Sequence, residues 1–472
     1  MTAPTSGGCA TEVLPRDLLA RLLGELRRGG AEYADAFVEE RDSRSAASGD
    51  GGVGDVSSGW QCGAGFRAVR SGRSAFCSTE DLSPEGLRAA ASAALRGLGA
   101  GAETVDHTPA TPALGAAVHR ARPCSVAWAP RLDLMRMAET AAREADPRIA
   151  SVRTTWFESL HRIQICTSEG VGRSERRERT RLHVRVGARD GRGRTAVGTR
   201  APGVGGGFAR FLAEAGAAAA ADRAARQAVR LLDAREGPAG DLPVVMQGGA
   251  AGAFVHEACG HLLEAAVSPA EQSPLARGLG RTVAPPAVTV VDDHTLPGAW
   301  ATALFDDEGA DAARTVLVDQ GRLVSLLYDR AAALRAGVAG TGNGRRPGFR
   351  RPPATRMTNL LLAPGTDDPG DIVAQTGEGV LAREFGRGLA DPVTGTVEFG
   401  VTEGYRIRRG RVCEPLRQVT VSGRAPELLS SVDRVGPDLT VTPLVCTKDG
   451  QKAMVSAGAP TIRVPAAAVG GR

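Results

Sequence analysis

The sequence predicts an α+β protein of two domains: an N-terminal α/β domain over residues 1–236 and a C-terminal β-rich domain over residues 237–472. Three observations carry that expectation. A chain of 472 residues exceeds what one hydrophobic core usually serves. Helical and strand patterns alternate through the first half, whereas the second half is a series of short strands with glycine turns. With 42% hydrophobic and 24% charged residues, the chain can fill two cores.

In chain order, Leu18–Arg28 has the apolar spacing of an amphipathic helix and Ala34–Arg41 reads as a strand. Ser83 followed by Pro84 marks a helix start, with serine as N-cap and proline at the first helical position, for a helix running through the alanines to Leu98. Leu132–Ala145 is a further helix. Strands are expected at Val152–Glu158, Arg162–Thr167 and Arg181–Val186, the last two as a meander. The densest basic run, Gly172–Val186, interleaves glutamates and then alternates polar with apolar, which reads as a solvated face leading into a strand. Gly203–Gly207 does not spell the GxGxxG dinucleotide fingerprint. One long alanine-rich helix is expected from Phe208 to Ala234, stopped by GPAG (Gly237–Gly240) at the domain boundary. Beyond it, a buried strand at Leu242–Met246 leads into the helix bearing HEACGH (His256–His261). Strands then follow at Ala287–Asp292, Ala301–Phe305, Arg314–Val318, Leu323–Tyr328, Met357–Leu362, Thr396–Val401, Tyr405–Ile407 and Arg417–Val421.

Composition narrows the function classes. The net charge of +5 is spread along the chain rather than gathered into a stripe, and only three tyrosines are present, which argues against a nucleic-acid partner. No apolar run reaches the ~18 residues of a membrane span, and the opening MTAPTSGGCATEVLPRD lacks the regions of a signal peptide. No membrane association and a cytoplasmic location are therefore expected. The eight cysteines (Cys9, Cys62, Cys77, Cys124, Cys166, Cys259, Cys413, Cys446) have no paired spacing, which suits reduced thiols.

HEACGH concentrates the chemistry. Its two histidines are five positions apart, which on an unbroken helix leaves them roughly 140° apart, against roughly 40° for the four-residue step of HExxH. Both reach one ion only if the helix departs from regularity between them, and Gly260 permits that, so a distorted or terminating helix is expected there. A hydrolytic zinc site commonly has three protein ligands, an open position and a nearby carboxylate. His256 and His261 supply two ligands and Glu257 is placed to be the base. Cys446 is the most suggestive third ligand, because Lys448 and Lys452, the only lysines, lie beside it and positive charge favours a thiolate.

HEACGH is followed by VDDHTLPGAWATALFDDEG (Val291–Gly309), GTGNGRR (Gly340–Arg346), RMTNLLLAPG (Arg356–Gly365), DPVTGTVEFGVTEGY (Asp391–Tyr405) and CTKDGQ with GAPTIRV. With ADAFVEER, GAGFRAVRSGRSAF and LSPEGL near the start, this ordered set resembles the TldD/PmbA metallopeptidase family over nearly the whole chain. The retained HExxxH and late cysteine make it similar to the active, TldD-like branch. The resemblance implies Zn2+ on His256, His261 and Cys446, with Glu257 as general base and acid. It implies hydrolysis of short or unstructured peptides, in turnover or in maturation of a modified peptide. It also implies a homodimer, or a heterodimer with a TldE/PmbA-like paralogue.

One departure stands out. Where the family continues with a GLEGD-like segment, this chain has LLEAAVSPAEQS (Leu262–Ser273), keeping Glu264 but not the glycine and aspartate around it. That leaves two further readings: a metal-dependent tailoring enzyme acting on a small peptide-derived metabolite, and a non-catalytic scaffold subunit. Asn343, Arg345 and His294 are candidate substrate contacts, the first two with Arg346 through main chain or carboxylate. Each also fits a packed turn, Asp306–Glu308 equally fits a solvated acidic turn, and Cys259 reads as a buried hydrophobe.

Overall fold

The computed structural model describes residues 12–49, 52–99, 127–265 and 273–471. Helices and strands are mixed throughout, as expected. Six long strands lie side by side in the order Arg73–Thr79, Gly52–Arg70, Tyr33–Gly49, Ile149–Thr167, Gly172–Arg189 and Thr195–Arg200, with every pairing antiparallel. The two strands expected within residues 152–167 are one, because Ser159, Leu160 and His161 between them contain neither glycine nor proline and pair across to Arg179, Glu178 and Arg177. The basic run is a strand along its whole length. Glu175, Arg177 and Arg179 on one face are buried while Arg176 on the other is exposed, so the solvated-face reading fails for one face.

Helices Arg16–Arg28 and Pro84–Gly99 pack leucines and alanines against the first strands, and Trp128–Glu144 with Ala217–Leu231 cover Trp156, Leu182 and Val184. Each fully buried leucine or aromatic ring contributes about 1.5–3 kcal/mol. The Ser83 hydroxyl accepts from the Gly86 N–H at 3.1 Å, the capping bond its position promised. The expected single helix from Phe208 is two, Phe208–Glu214 and Ala217–Leu231, because Gly216 takes a left-handed φ of 54°. Trp156 anchors the first piece edge-on through Phe208 and Phe211, at 5.6 and 5.0 Å.

The remaining strands form two larger sheets and one short pair. A six-stranded sheet runs Arg322–Leu323, Arg314–Asp319, Val290–Asp293, Asn359–Leu362, Gln451–Ala459, Thr440–Lys448, leaving the last strand at the edge. In the other large sheet, Gly240–Met246, Ile462–Gly471, Val419–Arg424, Thr396–Arg408 and Gly379–Ala390 pair in succession. The last of these pairs back to the first, closing a ring. Arg235–Glu236, just before the expected boundary, pairs with Leu416–Arg417 of this sheet. Ala301–Phe305 and most of Leu323–Tyr328 are not strands. In the first of these stretches side chains take two of the amides, Ala301 N–H donating to Asn359 Oδ1 and Leu304 N–H to Glu175 Oε1, beside an isolated bridge between Phe305 and Asp311.

Helix Gly248–Val255 and the turns after it lie between the two large sheets, burying Ala250, Ala251, Phe254, Val255, Ala258, Cys259, Leu262 and Leu263. Its small residues allow close approach: a Cβ on Gly252 would lie 3.1 Å from the Ala457 carbonyl oxygen. No helix among the described residues is long and apolar enough to cross a membrane. Among the described residues Cys62, Cys77, Cys166, Cys259, Cys413 and Cys446 are free thiols, while Cys9 and Cys124 lie outside them.

Candidate metal centre

The departure expected at HEACGH is a π turn. It spans His256–Gly260, and the His261 N–H donates to the His256 carbonyl, a bond closed over five residues instead of four. Five residues then complete one turn, so both histidines project to the same side, their rings 4.9 Å apart and near perpendicular. Gly260 has a right-handed helical conformation, φ −53° and ψ −63°, so backbone freedom is not why glycine is needed. Space is the reason, since a Cβ there would meet the Met357 sulfur at 2.5 Å and Leu360 Cδ2 at 3.0 Å.

The edge strand Thr440–Lys448 brings Cys446 to this turn, with its Sγ 3.1 Å from His261 Nε2. One donor atom each from His256, His261 and Cys446 lies within 4.8 Å of the others. Two imidazoles and a thiol are a donor set suited to zinc. Among the described residues His256 Nδ1 is buried without a hydrogen-bond partner, an incompletely satisfied polar environment that also fits a metal centre. Burial, reinforced by His261, pushes His256 down to about 3, keeping it neutral at pH 7 as ligation requires. Burial also works to lower His261, but its hydrogen bonds to Cys446 and Glu264 outweigh that and lift it to about 10.

Glu257 Oε2 lies 4.0 Å from His261 Nε2, and burial raises its carboxyl above the ordinary value against the opposing pull of His261. Gly388 makes room for it: a Cβ at that position would fall 2.8 Å from Glu257 Cγ. Glu264 closes the far side of His261, its Oε2 3.4 Å from Nδ1.

The other sequence candidates sit differently. Asn343 is buried and donates to Asp292 Oδ2 and the Arg356 carbonyl. Arg345 donates to the carbonyls of Met357 and Met454, and His294 is 2% exposed. Main chain and neighbouring side chains thus occupy donors of Asn343 and Arg345, whereas His294 Nδ1 is buried without a hydrogen-bond partner among the described residues. Asp306, Asp307 and Glu308 are buried too, not a solvated turn. Cys259 is fully buried among apolar groups that push its thiol up to about 12, as a hydrophobe would be. Residues 266–272 of the altered segment lie outside the described residues.

Sequence reasoning named Lys448 only as a positive charge beside Cys446, noted Glu264 without giving it a role, and did not single out Gly388. Glu264 follows His261 at the i,i+3 helical spacing and Lys448 follows Cys446 at the i,i+2 strand spacing, signals that were available. Gly388 had none.

Comparison with known proteins places the chain in a metallopeptidase family. Family models described as PmbA/TldA metallopeptidase domain 1, central domain and C-terminal domain match residues 34–97, 124–232 and 239–471. The chain belongs to the PmbA/TldD metallopeptidase family. It is 33% identical to a metalloprotease of Methanothermobacter thermautotrophicus over 448 residues, covering 93% of this chain and 96% of that one. A metalloprotease TldD homolog of Haemophilus influenzae is 31% identical over 72% of each chain. A zinc metalloprotease TldD homolog of Saccharolobus solfataricus is 29% identical over 49% of this chain and 52% of its own. Among solved structures, TldE from Thermococcus kodakarensis superposes with a TM-score of 0.77 at 17% identity, covering 96% of this chain and all of that one.

Proposed function

We propose that this chain is a zinc-dependent peptidase of the HExxxH type, acting on short or unstructured peptides, with a role in maturing a modified peptide or natural product. The observation that carries the reading is the convergence of His256, His261 and Cys446 donor atoms within 4.8 Å beside the Glu257 carboxylate. When bound, zinc supplies Lewis acidity, polarising a peptide carbonyl and making water nucleophilic near neutral pH. His256, His261 and Cys446 hold it. Glu257, raised by burial toward the working pH, takes a proton at its carboxylate and returns it to the departing amine.

A homodimer, or a heterodimer with a TldE/PmbA-like paralogue, belongs to the same proposal and is supported by the likeness to the TldE fold. So does a division into domains 1–236 and 237–472, supported by the absence of any strand pairing, among the described residues, between the first sheet and the others. The test is mass spectrometry of a mixed unstructured peptide pool incubated with the purified chain and its Glu257→Ala variant, with and without the paralogue. Cleavage that requires Glu257 is expected. Protein that purifies free of transition metal without chelators, and gains no activity on adding zinc, would sink the reading.

A further inference from the structure

We infer that Glu264 is the positioning residue for His261, held in place by Lys448, Arg356 and the Met357 amide, so that one edge strand controls both nitrogens of that imidazole. The inference rests on the metal centre proposed above. His261 Nε2 faces the thiol of Cys446 at 3.1 Å, while Nδ1 faces Glu264 Oε2 at 3.4 Å. Lys448 donates to the same Oε2 at 2.6 Å. Cys446 and Lys448 alternate along one strand with a single residue between them, so their side chains leave the same face. One strand thus supplies both the thiol that meets Nε2 and the ammonium that steadies the carboxylate on Nδ1.

The other oxygen of Glu264 is held as well. Its Oε1 accepts from the Met357 N–H at 3.1 Å and pairs with Arg356 Nε at 3.4 Å, a charge contact without hydrogen-bond geometry. The side chain of Glu264 is 1% exposed and faces Lys448 and Arg356. A buried, ionised carboxylate that is hydrogen-bonded on both oxygens has one orientation open to it. With a metal in place of the Nε2 proton, the bond to Glu264 would keep the remaining proton on Nδ1 and leave the Nε2 lone pair toward the cluster. The helix ends at Glu264, where the backbone turns extended, which aims the carboxylate back at the ring three residues earlier. Local geometry and the distant strand therefore agree on one ring orientation.

The test is metal affinity, read without turnover. Zinc affinity is measured by competition with a chromogenic chelator, and the cobalt-loaded protein is examined for its thiolate absorption. Glu264→Ala is expected to weaken zinc binding by about 10–100-fold and to shift the cobalt spectrum. Glu264→Gln, which keeps an acceptor for the Nδ1 proton, is expected to recover most of the affinity. Lys448→Met, at a side chain only partly buried, should give a smaller loss of the same kind without a change in melting temperature. Unchanged affinity in folded Glu264→Ala would overturn the inference. So would equal losses in the alanine and glutamine variants accompanied by a lowered melting temperature, since that pattern marks a purely structural carboxylate. Wild-type protein that fails to bind zinc or cobalt at all would instead overturn the metal reading itself.

Discussion

Two buried polar turns in this molecule, His256–His261 and Asp306–Glu308, show why burial of charge is not by itself a sign of chemistry. In the second turn all six carboxylate oxygens accept hydrogen bonds from the protein. Asp306 takes the amides of Glu308, Ala310 and Gly344, Asp307 takes Arg177 and the Arg346 amide, and Glu308 takes Arg67 and the Arg330 amide. These bonds tie the first sheet to the loop 300–311 and to Gly344–Arg346. In the first turn the balance differs: among the described residues His256 Nδ1 has no hydrogen-bond partner and Glu257 has an ionic neighbour at 4.0 Å. Saturated polar groups fix structure, whereas converging and unsaturated ones are available for a ligand.

The contrast is sharpened first at Glu257. Glu257→Gln should lower peptide hydrolysis by about 10²–10⁴-fold with metal content and melting temperature preserved, as steady-state rates and metal analysis will show. In the saturated turn the signature reverses. Arg177→Ala strips one partner from buried Asp307 and should cost about 3–5 kcal/mol in denaturant unfolding, with zinc still bound by the folded fraction. Loss of metal without loss of stability in that variant would break the comparison. A smaller effect is expected from Gly388→Ala, whose methyl crowds Glu257. It should reduce kcat by up to about 100-fold while leaving zinc affinity intact. Least of all, Arg176→Ala on the exposed face of the same strand as Arg177 should change stability by no more than about 0.5 kcal/mol, measured by the same unfolding curve.

The neighbouring residues Arg176 and Arg177 also show where sequence reading stops. Their run alternates as a strand should, but the pattern of charges does not reveal that the Arg177 face is covered by Phe305 and Asp307, 128 and 130 residues away. The same limit applies to Asn343, Arg345 and His294, for which both a substrate contact and a packed turn fit the sequence and whose side chains are buried.

What the sequence by itself determined is local. The mixed helix and strand character, the cap at Ser83 and the need for an irregular turn within HEACGH all follow from residue types within a few positions of one another. So does the pair of imidazoles flanking a carboxylate. Only the tertiary structure decided that Cys446 meets His261 across 185 residues, that Lys448 reaches Glu264, and that Gly388 leaves room for Glu257. The physical reason is that periodicity and capping act through neighbouring backbone groups. Register between an edge strand and a helix is instead set by how two sheets bury their apolar faces on Phe254, Val255 and Leu262.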